Sequence, residues 1–334
     1  MDLNTLWFFA IAFFFIGYFV LEGFDFGVGM LLPFVGGKDK EENDLRRTAQ
    51  MTTIGPVWDG NEVWLIVGAG AIFAAFPEWY STLFSGFYLP LLLLLVSLII
   101  RGVSIEWRSK VNTYQWRKRC DIGTMIGSYV PAFLWGVIFT NIVVGVPINE
   151  AGRINSFTDG FIGLFTPLPL LGGLAFVLLF MLHGAMFIGY KAEDPLRSRM
   201  HGLAKKALVA PTVVVAAVYI VWLQLSVGAD WTWIVLGLTV LTLLAAIVAL
   251  YRAHDGWAFA FTALTVVGVG VMLFGSLFPD VMPSTSQFAG WDIYNASSSP
   301  YTLKVMSWGA LIFVPVILVG QGWAYWSFRK RVKV

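Results

Sequence analysis

The chain has 334 residues, of which 58% are hydrophobic and only 13% charged, and its formal net charge is +2 at pH 7. That balance excludes a water-soluble globular domain and a nucleic-acid-binding surface, and places the chain among polytopic membrane proteins. The single cysteine, Cys120, excludes an intrachain disulfide and a cysteine metal cage.

Apolar stretches long enough to cross a bilayer lie at 6–33, 51–76, 79–101, 121–146, 160–190, 204–227, 231–251, 256–278 and 303–328. They predict nine crossings in an all-α polytopic membrane protein. The first stretch is too long for a signal-peptide core and is followed by acids rather than a small-residue cleavage site, so it reads as a retained helix. All but Arg153 and Lys304 of the 22 Lys and Arg residues fall in or beside alternate connectors and the C-terminal tail. The positive-inside rule then puts the N-terminus outside and the C-terminus in the cytoplasm. Trp7, Trp231 and Trp233 are expected at outer span ends, and Trp323, Tyr325 and Trp326 at an inner one, as interface belts.

The first span carries Glu22-Gly-Phe-Asp-Phe-Gly-Val-Gly29, in which the acids at 22 and 25 share a face and Gly23 and Gly27 offer a small-residue contact surface. The second span places Asp59 and Glu62 on one helical face, between Trp58 and Trp64. A carboxylate in lipid costs roughly 2.5–3.5 kcal/mol even on lenient scales, so such groups usually face a bundle interior or a water path. The plainer reading is an interfacial helix start whose positive dipole end favours acids. Asp25 and Asp59 are both expected about 12 Å from the cytoplasmic face at 1.5 Å per residue, and could meet in one bundle. Arg101, at the end of the third span, is either a third member of that group or a snorkelling anchor.

The stretch from Gly102 to Arg119 alternates basic residues with Trp107, Tyr114 and Trp116, which favours an interfacial helix on anionic lipid over a binding site. His183 stands alone within the fifth span. A hydrogen-bonded packing role is favoured over haem ligation, because one histidine has no ligand spacing. His201 and His254 fall in inner connectors and are expected to be solvated. The second half is poor in intramembrane charge and reads as packing. Ser299-Pro300 has the form of an N-cap followed by proline at the first helical position.

Five strings together resemble subunit II of cytochrome bd-type quinol oxidases. They are Glu22-Gly-Phe-Asp-Phe-Gly-Val-Gly-Met30, Ile54-Gly-Pro-Val-Trp-Asp-Gly-Asn-Glu-Val-Trp-Leu65, Phe84-Ser-Gly-Phe-Tyr88 with Arg101, Phe278-Pro-Asp-Val-Met282, and Tyr294-Asn-Ala-Ser-Ser-Ser-Pro-Tyr-Thr-Leu-Lys304. The resemblance runs from the first span to the last. It implies a terminal oxidase of a bacterial or archaeal plasma membrane that oxidises membrane quinol and reduces dioxygen to water. It also implies two four-helix bundles, at 1–146 with the acidic motifs and at 147–280, and an outer loop with a peripheral helix at 281–334. Haem b and haem d would belong to the partner, subunit I, with no haem on this chain. A structural quinone, lipid and small single-span accessory subunits are further ligands and partners that the resemblance brings. By the same resemblance Asp59 lies on a proton route from the cytoplasm toward the partner's haem pocket, while Asp25, Glu62, Trp58 and Arg101 match motif positions as pathway or structural partners. The rival readings are a proton-coupled secondary transporter, which would show interrupted helices in corresponding halves, and a purely structural scaffold for a haem-bearing partner.

Overall fold

The computed structural model describes residues 2–333. Its helices are α1 (Leu3–Met30), α2 (Lys40–Ile54), α3 (Trp58–Ala75), α4 (Pro77–Gly86), α5 (Tyr88–Trp107), α6 (Tyr114–Val144), α7 (Pro167–Lys191), α8 (Leu196–Leu203), α9 (Val209–Val227), α10 (Thr232–Tyr251), α11 (Asp255–Leu277) and α12 (Pro300–Ser327). A small antiparallel hairpin, β1 (Asp280–Pro283) and β2 (Gly290–Asp292), pairs Met282 with Trp291 in the connector before α12. Among the described residues, eight helical runs are long and apolar enough to cross a membrane, α8 and α9 counting as one. The remaining expected crossing is α3, whose first turns carry Asp59, Asn61 and Glu62.

Helix ends follow local chemistry. The side chains of Asp2, Asp39, Thr113 and Ser299 each accept a backbone N–H of the first turn that follows, which satisfies donors the helix itself leaves open. Ser299-Pro300 therefore starts α12 as its sequence suggests. The expected span 51–76 is instead split between α2 and α3 at Gly55–Val57. Pro56 has no N–H to give and its ring crowds the preceding turn. Between α8 and α9 the backbone takes a π-helical turn at Ala204–Leu208, just before Pro211. The basic and aromatic stretch after Gly102 forms no separate interfacial helix: α5 continues to Trp107, and Thr113 caps a new start for α6.

The central element is α1, which packs against α3, α6, α7, α11 and α12. Its ring stack of Phe15 and Phe19 meets Trp135 and Phe139 of α6 and Phe176 of α7. At Gly27 the backbones of α1 and α7 approach so closely that a Cβ there would stand 2.7 Å from the Cα of Gly184. This is the small-residue surface expected of Gly23 and Gly27. By contrast α12 is almost wholly exposed along its length, with Leu303 its one buried residue. Trp7 is not a belt residue. It is buried and its indole Nε1 donates to the carbonyl of Leu303 at 3.2 Å, which anchors the start of α12 on α1. Trp231, Trp233, Trp323 and Trp326 are exposed.

The α1–α7 crossing gives a direct test. Gly27→Val should destabilise the protein by about 1–3 kcal/mol or more, because the added methyls meet backbone rather than a movable side chain. Gly237→Ala, where a Cβ meets nothing within 4 Å, should be neutral. Thermal unfolding of the two variants in the same detergent makes the comparison.

Candidate functional site: a buried acidic cluster at the basic end

The ends of α1 and α5 and the start of α3 lie together at the end of the molecule that carries most of the Lys and Arg residues. There Arg101 of α5 is fully buried, as are Glu22 and Asp25 of α1, while Glu62 of α3 is partly exposed. Arg101 Nη1 donates to Glu22 Oε1 and to Glu62 Oε1, the latter at 2.9 Å. Its guanidinium carbon also lies 4.9 Å from the centre of the Phe26 ring. Gly127 of α6 makes the room, since a Cβ there would collide with Arg101. Arg101 is thus neither at a helix end nor snorkelling; α5 runs beyond it to Trp107.

Asp25 is held differently. Its Oδ2 accepts from Asn61 Nδ2 at 2.7 Å. The Oδ1 of Asn61 accepts from Gln321 Nε2 at 3.0 Å and from the Tyr325 hydroxyl at 2.8 Å, both on α12. Gln321 Oε1 in turn accepts from Trp64 Nε1 at 2.8 Å. Tyr325, expected in an interface belt, is therefore part of the site. Glu22 Oε2, Asp25 Oδ1, Gln50 Oε1, Thr124 Oγ1 and the Nε and Nη2 of Arg101 are buried without a protein partner. Such orphaned groups are costly unless something polar reaches them. Three carboxylates around one guanidinium would also leave two negative charges uncompensated if all were ionised. The arrangement suits groups that hold and release protons.

Of the sequence candidates, the fold joins Glu62 and Arg101 directly and places Asp25 beside them. It does not bring Asp59 to Asp25. Asp59 is exposed in the first turn of α3, one turn before Glu62, and Trp58 is half-buried against Gly102. The sequence reading assigned neither Asn61 nor Gln321 a role and placed Tyr325 in a belt rather than in the site. Gln321 and Tyr325 did leave a signal, a polar pair at i, i+4 in the apolar second half of α12.

Next to the cluster, α1, α3 and α12 enclose a cavity of about 270 Å³ whose walls include Phe14, Val57, Val67 and Val314, with Gln321 and Tyr325 at one side. His183 does not fit an axial haem ligand. Its Nδ1 is 2.7 Å from Thr262 Oγ1, its Nε2 is 3.1 Å from the carbonyl of Val20, and its ring stacks on Phe259 at 4.9 Å. His201 is not free in solvent either: it lies 3.0 Å from Asp255, which also pairs with Arg197 and Arg331. A second ion network joins Arg108, Arg47 and Arg117 to Asp44 and Asp121, and ties α2, α5 and α6 at the same end.

Residues 3–328 match the family described as cytochrome bd terminal oxidase subunit II. The chain belongs to that family. It is 41% identical to the cytochrome bd ubiquinol oxidase subunit 2 of Bacillus subtilis (strain 168), over 99% of this chain and 97% of that protein. It is 33% identical to the cytochrome bd-I ubiquinol oxidase subunit 2 of Escherichia coli (strain K12), over 99% of this chain and 95% of the relative. Its fold is similar to a chain of the bd oxidase from Geobacillus thermodenitrificans, with a TM-score of 0.68 and 20% identity, covering 96% of this chain and 97% of that one. A family match of this extent removes the secondary-transporter reading, and makes the acidic cluster part of a terminal oxidase subunit.

Arg101→Met should cost about 3–5 kcal/mol, because it leaves Glu22 buried without its counter-charge. Adding Glu22→Gln should recover part of that loss, since the uncompensated acid is then neutral. The yield and unfolding temperature of the assembled complex across the two single variants and the double variant give the coupling.

Proposed function

We propose that this chain is the haem-free second subunit of a plasma-membrane complex that oxidises a membrane quinol and reduces dioxygen to water, and that its acidic cluster takes up protons from the cytoplasm and passes them toward the haem-bearing subunit I. The observation that carries the proton-uptake reading is the group of three acids around one buried arginine, with orphaned oxygens on Glu22 and Asp25. The quinol-oxidase reading rests on family membership and on the relatives that bear the name ubiquinol oxidase subunit 2.

Reducing dioxygen consumes protons. Drawing them from the basic, cytoplasmic end charges the membrane without a pump, provided quinol releases its protons on the other side. In this reading exposed Asp59 is the entrance, Glu62 the next group inward, and Asp25 and Glu22 the buried carriers. Arg101 stabilises an ionised carboxylate and so keeps a proton acceptor in the bundle, and Trp58 covers the entrance. The helices then group as α1, α3, α5 and α6 within 1–146 and α7 to α11 within 147–280. The hairpin and α12 follow in 281–334, and α3 counts as the ninth crossing. The N-terminus lies outside and the C-terminus in the cytoplasm. The haems would be held by subunit I, as the engaged nitrogens of His183 suggest. A structural quinone would be held in the 270 Å³ cavity by apolar walls, since Gln321 and Tyr325 already serve Asn61.

The test is oxygen reduction per assembled haem, paired with proton uptake after an oxygen pulse. Asp25→Asn should lower turnover per haem by about a hundredfold, the scale of losing an obligatory proton carrier, with haem content retained. Asp59→Asn should lower it less, because water can bypass an exposed entrance, and Asp59→Glu should be milder still. Normal turnover per haem in both asparagine variants would remove the two residues from the route.

A further inference from the structure

At the basic end a second cavity, of about 580 Å³, opens where the ends of α2, α7 and α12, the start of α11 and the C-terminal tail converge. Its walls are apolar, with Val57, Phe187, Tyr190 and Phe259 among them, and its lining includes Lys191, Arg329 and Lys330 but no carboxylate. Lys191 is only 8% exposed. Its ammonium donates to the carbonyls of Phe328 and Lys330, the latter at 3.1 Å, and among the described residues no carboxylate lies within ion-pairing reach of it, of Arg329 or of Lys330. The neighbouring Arg331 is different, since its Nη2 meets Asp255 Oδ2 at 2.7 Å. A buried cation with neutral acceptors alone is expensive, and an anion is the partner that relieves it.

The surrounding frame is fixed. Val332 N donates to the carbonyl of Lys191 at 2.7 Å, and Glu193 N to the carbonyl of Val332 at 3.0 Å, so the tail is laid onto the end of α7. Arg329 is held with its guanidinium 4.4 Å from the Trp326 ring. We propose that this cavity binds one anionic phospholipid of the cytoplasmic leaflet, its phosphate facing Lys191, Arg329 and Lys330 and its acyl chain lying along Phe187, Tyr190 and Phe259. A free phosphate has no use for the apolar walls, and a quinone carries no charge to answer the three cations. Basic side chains at a membrane surface each add to attraction for anionic lipid, and a cavity of this size is within the range of ligand sites. The lipid would join α7 to the tail that follows α12.

The experiment uses the intact purified complex, with phosphatidylglycerol supplied in mixed micelles and bound lipid counted by native mass spectrometry. The exposed pair Arg329→Gln and Lys330→Gln, which leaves Lys191 and the tail contacts in place, should bind phosphatidylglycerol about thirtyfold more weakly at its variant-sensitive site. Phosphatidylcholine should not replace it there, and inorganic phosphate should not compete. Lys191→Met is the second variant and should lose the same bound lipid. Unchanged phosphatidylglycerol binding in both variants would overturn the proposal. So would equal binding of phosphatidylcholine, displacement by inorganic phosphate, or a quinone as the molecule lost.

Discussion

One guanidinium, taken fully out of water by three helices, sets the terms for the rest of this chain. Arg101 of α5 reaches Glu22 of α1 and Glu62 of α3, and Gly127 of α6 leaves the space in which it sits. A buried ion group of this kind is a poor source of net stability, since desolvation offsets most of its attraction. What it supplies is a fixed charge deep in an apolar bundle, with Glu22, Asp25 and Glu62 gathered near it. Asp25 stands outside the ion pairs. It is held by the amide of Asn61, which α12 orients through Gln321 and Tyr325. The most exposed long helix of the chain therefore has a polar hold on the most buried part of the site.

The two halves are held by different means. Close glycine contacts, such as Gly136 of α6 against Gly173 of α7, let the apolar helices approach without any directional bond. The basic end is fastened by ion networks instead. Asp44 and Asp121 gather Arg47, Arg108 and Arg117, while Asp255 gathers Arg197, His201 and Arg331. Each network has at least one partly exposed cation, such as Arg47, Arg117, Arg197 or Arg331, whereas Arg101, Glu22 and Asp25 are all fully buried.

Most spans were legible because an apolar run is a strong signal, and the acidic strings stood out because charge in such a run is rare. Depth and facing were harder to read. Arg101 itself interrupts the apolar run, so the helix seemed to end where it in fact continues to Trp107. Trp7 and Tyr325 have the composition of belt residues, and composition cannot say that one is buried beneath α12 and the other turned toward Asn61. Asp59 and Asp25 were expected at similar depth, which is a one-dimensional estimate. The rotation of α3 turns Asn61 inward and leaves Asp59 outside. Pro56 divides its apolar run, whereas Pro131 and Pro315 lie inside unbroken helices, so a proline in such a run does not by itself say which outcome follows.

The central claim is that the buried acids hold an exchangeable proton, and infrared difference spectroscopy of the complex between its oxidised and reduced states tests it most directly. A protonated-carboxyl band that shifts in heavy water and disappears in Asp25→Asn or Glu22→Gln is the expected result. A spectrum with no such band, or with one that both substitutions leave unchanged, would mean that these carboxyl groups do not change protonation between the two states and would contradict the claim.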